Sequence, residues 1–145
     1  MVKEFSAIAE LKSIREQKSI LSERESELSA PTLTNVEFIP TIYQWFSDIL
    51  SNMDFPPCVD SVNQRKKFLY IILFLYAPSV LAGGRMPGGL RKVLEELFNH
   101  VSPCTISNNI NNIVFLYQHY RDFRHDIGEI YTHIMQKLKD KELIK

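Results

Sequence analysis

The sequence predicts an all-α fold: an N-terminal helical arm with its linker over residues 1–34, then a helical bundle over 35–145 that contains a helix-turn-helix at about 90–118. Three observations predict it. Apolar residues recur at helical spacing, most regularly in Phe123, Ile127, Ile130, Tyr131, Ile134 and Leu138. Helix-start signals head several such stretches: Ser61 ahead of Gln64 as a capping box, Ser102 before Pro103, and Pro40 where a first helical turn tolerates it. The chain also opens on a heptad, Ala7, Ile14, Leu21 and Leu28, with Leu11 on a second seam that Lys18 and Glu25 interrupt.

An isolated helix with so few apolar residues is marginal in water, so the arm needs a partner. A coiled-coil dimer is the expectation; folding back onto the C-terminal domain, or a solvated helix, are the alternatives. Residues 29–34, SAPTLT, read as a linker. From 35 to 53 an amphipathic helix places Ile42, Trp45, Phe46, Ile49, Leu50 and Met53 on one face, which core packing explains better than a cofactor does. DFPPCVD, 54–60, is a proline-broken loop.

The next helix starts at Ser61, and its Arg65, Lys66 and Lys67 either touch phosphate or solvate a first turn. Phe68 to Tyr76 is apolar all round and is expected to be the central buried helix. Up to Leu81 this run is too short to span a bilayer, and Pro78 interrupts it. GGRMPGG, 83–89, has the glycine content of a phosphate cradle but lacks both the closing Lys-Ser/Thr pair and a preceding strand. It reads instead as a hinge, or as a loop that with Arg85, Arg91 and Lys92 meets the DNA backbone.

Val93, Leu94, Leu97 and Phe98 form the apolar face of the first helix of the motif, and VSPCTISNNINNI, 101–113, follows. Ile106, Ile110, Ile113 and Val114 share one face, whereas Ser107, Asn108, Asn111 and Asn112 fall mostly on the other. A proline-started helix with small, hydroxyl and amide side chains suits a major groove. The pattern V-S-x-x-T-I-S-N-x-I, from Val101 to Ile110, resembles the turn and recognition helix of lactose-repressor-type helix-turn-helix proteins over about 20 of the 145 residues. That resemblance implies that Pro103, Cys104, Ser107 and Asn108 face base edges, that Thr105 lies near the backbone, and that Val101, Ile106 and Ile110 pack. Asn111 joins the base-reading set from its place on the polar face, and Ser102 joins Thr105 at the backbone. Glu96 stands where the family has a small residue and His100 where it has a turn glycine, so a non-glycine residue is expected at positive φ. The C-terminal half also resembles small helix-turn-helix proteins of phages and mobile elements. The second half of this long helix is expected to be core, and KLKDKELIK a fraying tail.

Charge is divided unevenly: residues 1–60 carry five Lys/Arg against ten Asp/Glu, and 61–145 carry twelve against seven. The half with the motif is therefore the basic half. A pI of 6.9 is well below the value of about 9 common in dedicated DNA-binding domains, which favours a dimer over a monomer as the binding species. Cys58 and Cys104 show no metal spacing and no disulfide framework, and the charged start MVKEFSAIAELK is not a secretory signal, so an intracellular, cytoplasmic protein is expected. His125, Glu129 and His133 have ligand-like spacing, but spacing alone is weak evidence and a solvated polar face opposite the Ile/Tyr stripe explains the same residues. Cys104 with His100 lacks a third orienting group. The expected function is sequence-specific binding of double-stranded DNA without catalysis, cofactor or metal. The competing expectation is a protein-interaction or assembly module of a phage or mobile element.

Overall fold

The structure, a computed structural model, describes residues 3–53, 61–99 and 102–144, and every regular element among them is helical. Two compact units divide the chain, 1–30 and 31–145. The first is the single helix α1, Lys3–Leu28, on which Ile8, Leu11, Ile14, Leu21 and Leu28 are all exposed. The second holds α2 (Ile39–Ser51, entered through a 3-10 turn at Val36–Phe38), α3 (Val62–Tyr76), α4 (Pro78–Leu81), α5 (Gly88–Leu97), α6 (Pro103–His119) and α7 (Arg121–Asp140). No described helix is long and apolar enough to cross a membrane. The division falls before the predicted linker ends, because Thr32 and Leu33 both donate backbone N–H groups to the Leu75 carbonyl.

Helix α3 is the axis of this unit, packing against α2, α4, α6 and α7. Phe68, Leu69, Ile71, Ile72, Leu73 and Leu75 are fully buried, as an all-round apolar helix demands, while within 68–76 Tyr70 is half-buried and Phe74 is exposed. Its start matches the sequence expectation in one half. Ser61 Oγ accepts from the Gln64 N–H at 3.3 Å, but Gln64 is buried and its Oε1 has no partner among the described residues, so the reciprocal bond of a capping box is absent. An aromatic cluster joins three elements: Phe68 meets Tyr43 at 5.0 Å, Phe46 at 5.3 Å and Phe98 at 6.1 Å.

The basic triplet at the head of α3 is drawn into the fold. Lys67 Nζ donates to Asp126 Oδ2 of α7 at 2.7 Å, Lys66 Nζ donates to Asn112 Oδ1 of α6 at 2.8 Å, and the Arg65 guanidinium lies over the Phe98 ring. These cations tie helices together rather than line a phosphate-binding surface.

Pro78 stops α3, and Ala77 carries the change of direction. Beyond α4, Gly83 adopts φ 96°, and Gly84 passes so close to Ser79 that a Cβ would stand 2.8 Å from its carbonyl oxygen. At the far end, α7 persists to Asp140 with Leu138 fully buried, so the fraying tail starts later than the charge pattern suggests. A Schellman cap closes it: Glu142 takes φ 59°, and the Leu143 N–H reaches the Leu138 carbonyl.

Tyr76 is buried, and its hydroxyl donates to the Asn35 carbonyl at 2.9 Å, pinning the entry of α2 to the end of α3. Burial pushes its pKa up to about 12 from 10.0. A phenol whose folded-state pKa lies above its unfolded one contributes its stability fully below pH 10 and loses it as pH rises toward 12. Urea midpoints are therefore expected to fall over that window, and Tyr76→Phe should flatten the fall while lowering stability at neutral pH by about 1 kcal/mol. An unchanged alkaline limb in Tyr76→Phe would show that another group governs it.

Candidate nucleic-acid interface

The candidate surface begins where α5 ends. Phe98 caps α5, and Asn99 follows it with φ 61°. Asparagine is among the non-glycine residues that best tolerate the left-handed region. His100 and Val101 lie outside the described residues, as does Cys58.

Ser102 then caps α6, its Oγ accepting from the Thr105 N–H at 3.2 Å and lying 3.0 Å from Thr105 Oγ1. Both hydroxyls assigned to the DNA backbone are thus already engaged with each other in holding the helix start. Pro103 is the first helical residue, and its side chain is not among those described.

The two faces of α6 are sharply divided. Ile106 and Ile113 are fully buried, with Asn109 between them at 6 % exposure. Cys104, Asn108 and Asn111 are exposed along the opposite stripe, and Ser107 is half-buried at its edge. Asn112 is held inward by Lys66. Of the side chains expected to read base edges, Cys104, Asn108 and Asn111 therefore share one open face and Ser107 contributes in part, Pro103 lying outside the described side chains.

Two residues on this helix were not anticipated. Asn109 packs on the core side and its Nδ2 finds no partner among the described residues; its spacing between Ile106 and Ile113 was the available signal. Phe115 corrects the expectation that the second half of α6 is core. It is 51 % exposed and continues the open stripe, with the His119 ring at 4.3 Å and the Tyr120 ring at 6.4 Å. Leu116 and Tyr117 are half-buried, as the other side of that half-helix requires.

Electrostatically the face is neutral. From Pro103 to Gln118 there is no Lys, Arg, Asp or Glu. Of the proposed backbone contacts, Arg85 and Lys92 are exposed, whereas Arg91 is half-buried and its Nε has no partner among the described residues. No protein-family model, curated protein or solved structure matches this chain. The chemistry of the surface is thus read from its own side chains: amide donors and acceptors, one thiol, and cations only at the margin.

The other candidate chemistry stays apart from this face. His125 Nε2 lies 3.3 Å from Glu129 Oε1 on α7, both well exposed, and the described residues contain no group of three side chains able to hold a metal.

Proposed function

We propose that this protein is a non-catalytic, sequence-specific binder of double-stranded DNA, acting as a regulator or accessory factor and paired through α1. One observation carries the reading: Cys104, Asn108 and Asn111 stand together on the exposed face at the start of a serine-capped, proline-initiated helix. Asparagine can bond an adenine edge in two places at once, and a helix start without bulky charge can approach a groove floor closely. Arg85 and Lys92 would meet phosphates beside it, and the exposed heptad of α1 would join two copies onto paired half-sites.

The test is selection of a preferred duplex from random DNA, followed by titration of that duplex and of random sequence. Asn108→Ala and Asn111→Ala are each expected to lower the specific-to-random ratio by about 1–3 kcal/mol. In the same assay Leu21→Lys should weaken binding to a two-half-site duplex and leave a single half-site unaffected. A ratio unchanged in both asparagine variants would remove the base-reading role.

A second reading, a protein-assembly module, is favoured by the absence of charge on α6 and by the exposed Phe115. It predicts that Phe115→Ala abolishes a protein interaction while no duplex is preferred.

A further inference from the structure

Behind the open face of α6, a cleft of about 160 Å³ lies between α3, α6 and α7. Its walls are aromatic: Tyr70 stacks on Tyr117 at 4.6 Å, and Phe74 meets Tyr131 edge to face at 5.5 Å. Ile71 and Ile127 contribute the remaining apolar lining, and no formal charge lines it. The last lining residue is Gly128, a helical glycine whose absent Cβ would meet nothing within 4 Å. Glycine in mid-helix is unfavourable, and here open space, not crowding, surrounds it.

We infer that this cleft is a binding site for a small, uncharged, single-ring aromatic molecule carrying one hydrogen-bonding group. Size supports a single ring, since an apolar cavity of about 150 Å³ suffices to hold benzene in a protein core. Chemistry supports the polar group: the hydroxyls of Tyr70, Tyr117 and Tyr131 make no hydrogen bond to any described residue. Burial raises the pKa of Tyr70 and of Tyr131, so both phenols remain protonated donors at neutral pH. The surroundings favour a free small molecule over an inserted side chain of another protein. On the α7 side the rim is polar, with the His125–Glu129 pair, Thr132 and His133 adjoining Gly128, and offers no apolar border for a larger interface. Binding here is independent of whether α6 reads DNA.

The experiment uses the full chain, labelled for methyl and amide NMR, titrated with phenol and separately with cyclohexanol. Phenol should produce saturable shifts centred on Ile71, Ile127 and Gly128, with a dissociation constant of about 1 mM, the scale open to so few atoms. Cyclohexanol, similar in size but without a π face, should bind roughly two- to tenfold more weakly. Gly128→Leu adds a helix-favouring side chain in open space and should fold at least as well as the parent while abolishing the phenol shifts. The inference is overturned if phenol gives no saturable shift, if it shifts a folded Gly128→Leu equally, or if cyclohexanol binds as tightly as phenol.

Discussion

Replacing Phe68 with alanine is expected to destabilise the 31–145 unit by about 3–5 kcal/mol. Phe68 is fully buried, and its ring is where Tyr43 and Phe46 of α2 and Phe98 at the end of α5 converge. Deleting it forfeits the transfer free energy of the ring and leaves a cavity bordered by rigid aromatic neighbours, which collapse poorly into the space. A domain of this size holds only about 5–15 kcal/mol in total, so the variant should be partly unfolded near 37 °C. Phe98 immediately precedes Asn99, so the turn into α6 should loosen in the same variant. Urea unfolding followed by circular dichroism measures the loss; a change below about 1 kcal/mol would mean that Phe68 is not at the convergence point.

The second large effect is expected at the Lys67–Asp126 pair. The Lys67 side chain is 8 % exposed and Asp126 is 38 % exposed, so Asp126→Ala leaves a mostly buried ammonium without its carboxylate. Removing one partner of a fully buried pair costs about 3–5 kcal/mol; the exposure of Asp126 and the reach of the lysine stem toward water reduce this to about 2–3 kcal/mol. Lys67→Met, which removes the charge and keeps the volume, should cost under about 1 kcal/mol. In the double variant Lys67→Met/Asp126→Ala most of the loss should disappear. Equal losses from the two single variants, with simple additivity, would show that the pair contributes no coupling.

This pair also shows where sequence reasoning stops. Local signals were legible: Ser102 ahead of Pro103 and the apolar periodicity of 123–138 define helix starts and faces through contacts within one or two turns. The run 68–76 announced its burial because no side of that helix could face water without exposing a large hydrophobe. By contrast, the fates of Lys66 and Lys67 depend on Asn112 and Asp126, far along the chain, and no periodicity encodes such partners. The left-handed residue that closes α5 is set in a related way. Which residue takes the left-handed conformation follows from where the α5 ladder ends, with Phe98 bonded back to Leu94 and Asn99 to Glu96.

The candidate site divides in the same way. Asn108 and Asn111 could be placed on one stripe from their spacing and Cys104 from the resemblance, and the structure leaves that stripe open. Phe115 belongs to the same stripe by the same spacing, yet its apolar character argued for the core; a helix face is exposed or buried by what packs against it, not by the taste of one side chain.

The sequence by itself determined that this chain is helical, where most helices begin, and which faces are apolar, since those properties arise from capping and from a 3.6-residue repeat acting over a few residues. Tertiary structure alone decided that the cations of 65–67 are spent inside the bundle, that Phe115 stays in water, and that Tyr70, Phe74, Tyr117 and Tyr131 gather around one cleft. These depend on α3, α6 and α7 meeting in one register, and for Arg65 on the end of α5, and that register is set by how side chains interlock across gaps that no local pattern spans.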